Sequence, residues 1–195
     1  DLVDENKERL AGLLSAETGK PITEARGEIA NVRIGVRGFV EKAKHLYGES
    51  LVGSSELGNE KTMQITTRAP LGVIVAIIPF NFPSDLFCQK VPPALMMGNS
   101  IIIKPSNYNP LTLIEYVKLM IEAGVPAGVI QVVTGDGPIV GQALARHKGV
   151  SLVSLTGSTG AGIQTMGTAS QNLTHVMLEL GGNDAFIMLE DGDMD

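Results

Sequence analysis

The sequence has little of what would place it in a membrane, on a nucleic acid or in an oxidising compartment. It carries one cysteine, Cys88, so no disulfide can form within the chain. Its longest purely apolar run, Val73 to Ile78, is far shorter than the roughly 20 residues a membrane-spanning helix requires. Positive charge is also scarce: 15 Lys and Arg stand against 21 Asp and Glu, a net charge of -6 that leaves no electrostatic footprint for a polyanion. The histidines, His45, His147 and His175, are widely separated and show no ligand spacing, so no metal is expected. The charged opening from Asp1 to Arg9 resembles no signal peptide. What remains is a cytoplasmic globular chain acting on small molecules, with no nucleic-acid or membrane partner; at 44% apolar it can bury a real core.

Apolar residues at Ala25, Ile29, Val32, Val36, Phe39, Val40 and Ala43 recur at spacings of three and four, which predicts a long amphipathic helix, with Thr23 as its N-cap. A shorter helix through Leu10, Leu13 and Leu14 should stop at Gly19-Lys20-Pro21, where glycine suits a left-handed cap and proline cannot continue. This gives a helical segment over 1–50, then a loop and exposed strand over 51–67. From residue 68 to 195 the pattern changes. Short β-branched runs at 72–78, 100–103, 129–133, 151–155 and 176–180 alternate with helical stretches, among them 111–123 and 139–147. Near-continuous Val and Ile implies strands buried on both faces, the mark of a doubly wound α/β fold with a parallel sheet.

Ligands of such sheets bind outside the carboxyl ends of the strands. Every run here ends in a polar or glycine-rich turn: Pro79-Phe80-Asn81-Phe82-Pro83, Lys104-Pro105-Ser106-Asn107, Gly135-Asp136-Gly137-Pro138, Thr156-Gly157-Ser158-Thr159-Gly160-Ala161-Gly162, and Glu179-Leu180-Gly181-Gly182-Asn183. Gly157 to Gly162 would open a helix, where free amides and the positive dipole end favour a pyrophosphate. Alone, this fits a tight turn equally well. Gly135, Gly137 and Gly141 miss the dinucleotide fingerprint by one residue.

Taken in order, these motifs resemble the successive signatures of the aldehyde dehydrogenase superfamily, and Glu17-Thr18-Gly19-Lys20-Pro21 resembles a further one. The resemblance implies a Rossmann-like cofactor-binding domain for NAD or NADP, in an enzyme that oxidises an aldehyde through a cysteine thiohemiacetal and thioester. It implies that Asn81 donates its amide to the substrate carbonyl oxygen, although by itself Asn81 also suits a turn before Pro83. It implies that Glu179 is the general base for thioester hydrolysis, helped by an environment that could raise its pKa, and this counts against the CoA-acylating branch. Lys104 and Ser106 match positions at the adenosine ribose, and Gly137, Pro138 and Gly141 a wall of the adenine pocket. Gly157, Ser158 and Gly162 match the pyrophosphate turn, with Ile77, Pro79, Phe80 and Leu180 along the cofactor's path.

The sequence departs from the family pattern at two places. Phe80 stands where most members have Trp, and Asn107 where many NAD-preferring members have Glu, which leaves cofactor preference open. The resemblance places the nucleophilic cysteine beyond Asp195. Cys88, in an apolar helical stretch, reads as a small core hydrophobe, so the chain alone is expected to be inactive. The full-length enzyme is expected to be a homo-oligomer acting on a small hydroxyaldehyde or semialdehyde. The rivals are a non-catalytic nucleotide-binding module of the same descent and a relative with acylating or reductive chemistry.

Overall fold

The computed structural model describes residues 1–53, 57–59 and 61–193. The part of the stretch 51–67 that covers 54–56 and 60 lies outside them. A short helix α1 (Leu2–Glu5) leads into α2 (Lys7–Thr18), which ends where Gly19 takes φ 72, a left-handed cap that a β-carbon would strain. The long helix α3 spans Ile22–Ala43 and buries Ala25, Ile29 and Val32. It starts earlier than Thr23 would have it. Pro21 is the N-cap, its fixed φ already suited to the entry, and its carbonyl accepts the Ala25 amide at 3.0 Å. Two short strands, β1 (Ser50–Val52) and β2 (Met63–Ile65), pair antiparallel as an exposed arm.

The remaining strands form one parallel sheet: β3 (Val73–Ile77), β4 (Ser100–Lys104), β5 (Ile130–Val132), β6 (Leu152–Thr156) and β7 (His175–Glu179), in the order β5-β4-β3-β6-β7. Helices α4 (Pro83–Met96), α5 (Leu111–Glu122), α6 (Gln142–Arg146) and α7 (Thr159–Ala169) lie between them in sequence. A single π-helical turn, Gly137–Gly141, runs directly into α6, so the helix expected over 139–147 is split in two.

Side-chain alternation sorts the strands onto two unequal cores. On one face Ile74, Ala76, Ile101, Ile103 and Ile130 join Leu10, Leu14, Ile29, Phe87 and Tyr116 from the helices. On the other, Val75 and Val153 form a small cluster with Ala145 and Val150 among the described residues. The expectation of burial on both faces holds for the central strands and fails at the two edge strands, where His175, Met177 and Glu179 of β7 and Gln131 of β5 are exposed. A strand with one neighbour has half the cover.

Candidate functional site

Strand order reverses between β3 and β6, because the chain runs outward from β3 through β4 to β5 and then returns to β6. The crevice at that switch point, above the strands' carboxyl ends, is where a ligand fits. Five turns follow the strands, and each expected residue lies on one of them or in the end of an element beside it.

The first turn follows β3. Ile77 and Pro79 are half-buried, while Phe80, Asn81 and Phe82 are exposed. Its backbone is tied from outside. The Phe80 carbonyl accepts from Asn109 Nδ2 at 2.8 Å, and the Asn81 carbonyl from Lys20 Nζ at 3.0 Å. Lys20 also forms an ion pair with Glu28 and lies 4.2 Å from the centre of the Phe82 ring. Phe80 packs edge-on against Tyr108, with ring centres 5.9 Å apart.

The second turn follows β4. Lys104 is buried and donates to the Pro105 carbonyl and to Asn107 Oδ1, both at 3.0 Å. Burial pushes its ammonium below the ordinary lysine range, and the negative charge of Asp136 offsets part of that. Ser106 Oγ accepts the Tyr108 amide at 3.2 Å. The Lys104 side chain is thus turned inward, with Asn107 as its partner.

On the third turn Gly141 is buried at the end of the π turn, where a β-carbon would stand 3.7 Å from Ile77 Cδ1. This brings Gly141 alongside Ile77 of β3, with Gly137 and Pro138 opening the same π turn. On the fourth, Ser158 caps α7 by accepting the Ala161 amide at 3.2 Å. Helix geometry leaves the amides of Thr159 and Gly160 without an intrahelical acceptor. A β-carbon on Gly162 would come 2.6 Å from Leu180 Cδ2, so a side chain at 162 would have to displace that of Leu180. The Glu179 carbonyl accepts the Gly157 amide at 3.0 Å, joining these two turns.

Glu179 itself is exposed at the end of β7, not set in a buried strand as the sequence suggested. No hydrogen bond joins it to Asn81, since β6 separates their strands, which puts the strand axes about 10 Å apart. Sequence reasoning passed over Lys90. This buried lysine of α4 donates to Ser154 Oγ at 2.8 Å, and its ammonium is lowered by burial and partly restored by the charge of Glu179. It also passed over Lys20, Glu28 and Asn109 as supports of the Asn81 turn; the Glu17-to-Pro21 motif was the available signal.

These residues fit a dinucleotide. Free first-turn amides stand on α7 beside Gly160, where a β-carbon would meet open space, and Thr156 Oγ1 is buried at the end of β6 without a protein partner among the described residues. Among those residues no group of His, Cys, Asp or Glu could hold a metal ion, and no helix is long and apolar enough to cross a membrane.

Fold and crevice together define a Rossmann-like α/β domain of the nucleotide-binding class. The aldehyde dehydrogenase family model matches residues 1–195, and the chain belongs to that family. It is 42% identical over 194 residues to 3-sulfolactaldehyde dehydrogenase of Pseudomonas putida, covering 100% of this chain and 39% of that protein. Succinate-semialdehyde dehydrogenase [NADP(+)] of Escherichia coli K12 is 39% identical over 195 residues, with 100% of this chain and 40% of the relative covered. Among solved structures, a betaine aldehyde dehydrogenase mutant of Staphylococcus aureus in complex with NAD+ superposes with a TM-score of 0.87 at 35% identity, over 93% of this chain and 36% of that one. The chain thus spans well under half the length of the relatives it matches.

Proposed function

We propose that the full-length protein oxidises a small aldehyde to the carboxylic acid with NAD or NADP, and that this chain supplies the cofactor site, the carbonyl donor Asn81 and the general base Glu179. The observation that carries this reading is positional. Asn81, the Gly157–Gly162 turn and Glu179 follow three adjacent strands, β3, β6 and β7, at the switch point. Lys104, Ser106 and Asn107 would hold the adenosine ribose, Gly137, Pro138 and Gly141 the adenine. Gly157, Ser158 and Gly162 would take the pyrophosphate, with Ile77, Pro79, Phe80 and Leu180 lining the path. The bound nicotinamide supplies a hydride acceptor.

The chain's own residues act on the substrate carbon's surroundings. When a thiolate adds to the aldehyde, negative charge collects on the carbonyl oxygen, and a fixed Asn81 amide lowers the barrier by about 3 kcal/mol. After hydride leaves, a thioester remains, and Glu179 takes a proton from the water that hydrolyses it. A carboxylate exposed at a strand end can reach both water and the crevice. The thiolate comes from outside these 195 residues, because Cys88 is buried and its thiol is pushed up to about 12, chiefly by burial. The relatives' names, 3-sulfolactaldehyde, succinate-semialdehyde and, in Thermoplasma acidophilum, D-glyceraldehyde dehydrogenase, support a small hydroxyaldehyde or semialdehyde substrate. A cytoplasmic homo-oligomer is part of the same reading.

Single-turnover kinetics of the full-length enzyme test it. Asn81→Ala should slow the burst of reduced cofactor about a hundredfold. Glu179→Gln should keep the burst and slow the steady state that follows. The 195-residue chain alone should produce no reduced cofactor from aldehyde. A normal burst in Asn81→Ala, or a lost burst in Glu179→Gln, contradicts the assigned roles.

A further inference from the structure

Lys20 sits where a lysine is costly. Its side chain is 10% exposed and that of its partner Glu28 is 2% exposed, and withdrawing both charges from water is favourable only when further hydrogen bonds complete the pair. Here they do. The ammonium of Lys20 also donates to the Asn81 carbonyl at 3.0 Å and faces the Phe82 ring at 4.2 Å. The second oxygen of Glu28, Oε1, accepts the backbone amide of Ser84 at 2.7 Å, in the first turn of α4. One ion pair therefore grips the backbone on both sides of Phe82-Pro83. From the opposite side Asn109 holds the Phe80 carbonyl at 2.8 Å. Rotating the peptide that follows Asn81 would break its bond to Lys20, so the orientation of this residue is set from another helix pair.

We propose that Lys20, anchored by Glu28, is a positioning residue for the carbonyl-activating donor: it fixes the backbone of Asn81 so that the side-chain amide is already oriented when charge develops on the substrate oxygen. The proposal rests on the reading of Asn81 as that donor. Lys20 touches the backbone of Asn81 and acts only through it. A donor free to swing would sample the productive geometry for a fraction of the time, and misplacement by about 1 Å can cost up to a hundredfold in rate.

The test uses the full-length enzyme and the single-turnover burst of reduced cofactor in Lys20→Met, Lys20→Arg, Glu28→Gln, Asn81→Ala and the double variant Lys20→Met/Asn81→Ala. Cofactor Kd and thermal midpoint are measured for each. Lys20→Met and Glu28→Gln should slow the burst about tenfold with cofactor Kd unchanged, and Lys20→Arg should recover most of the rate. The double variant should be no slower than Asn81→Ala alone, because both changes remove one donor. Multiplying losses in the double variant, a wild-type burst in Lys20→Met beside a slow Asn81→Ala, or a cofactor Kd that shifts as much as the rate would each overturn the proposal. If Asn81→Ala itself keeps a normal burst, the underlying reading of Asn81 has failed, and the proposal falls with it for that separate reason. Should Lys20→Met not fold, Glu28→Gln carries the test, since glutamine still offers an acceptor to the Ser84 amide.

Discussion

Asn107 is the residue on which the proposed cofactor preference turns, and its hydrogen bond shows what it does in the fold. Its Oδ1 accepts from Lys104 Nζ at 3.0 Å, so a neutral amide holds the lysine that a carboxylate could also hold. In the proposed site the difference lies in the field at the ribose. Two like unit charges about 4 Å apart repel by roughly 4 kcal/mol at an effective dielectric near 20, an upper figure for a carboxylate facing a 2′-phosphate. With that repulsion absent, the full-length enzyme should use NADP appreciably, with NAD also accepted. Asn107→Glu should shift the ratio of kcat/KM values toward NAD by at least about tenfold. Steady-state kinetics with both cofactors decide it, and strict NAD specificity in the wild type would defeat the idea. Asn107 was legible because it follows a strand end. Lys20 was legible only as part of the Glu17-to-Pro21 motif; its role was not, because its acceptor lies 61 positions away.

Two helices that border the site share a device that no single segment reveals. Neither α4, entered at Phe82, nor α5, entered at Pro110, has a side-chain cap of its own. Each receives a glutamate from another helix instead. Glu28 of α3 serves α4, while Glu17 of α2 accepts the Leu111 amide at 2.5 Å, the Thr112 amide at 2.8 Å and Thr112 Oγ1 at 2.6 Å. A negative charge at a helix N-terminus is favourable both as acceptor and against the dipole. Glu17→Ala should therefore destabilise the protein by about 1–2 kcal/mol, read as a lowered thermal midpoint, and Glu17→Gln by less. An unchanged midpoint in Glu17→Ala would show that water replaces the cap. The strands were legible from their unbroken β-branched runs, because a residue covered on both faces has no polar side to show. The edge character of β7 was not, since Val176 and Leu178 read the same whether His175 and Met177 are covered or exposed. The early start of α3 escaped for a related reason: a threonine is a familiar cap, yet Pro21 sets the entry angle first.

At the scale of the molecule the two cores differ greatly in size, and the site straddles them. The Asn81 turn leads into α4, whose Phe87, Val91 and Ala94 belong to the larger core. The Gly157–Gly162 turn joins β6 to α7 on the side whose fully buried cluster is Val75, Ala145, Val150 and Val153. Local opening is cheapest where little apolar surface must be exposed. Amide hydrogen exchange should therefore be slow in β3, β4 and α4 and faster by orders of magnitude in α7 and β7, within one continuous sheet. Saturating cofactor at about 100 times its Kd should suppress opening of the weaker half by up to about 2.7 kcal/mol. Equal protection of the two halves without cofactor would contradict this. On these terms the half that carries α7 breathes, and the half that carries α4 holds still.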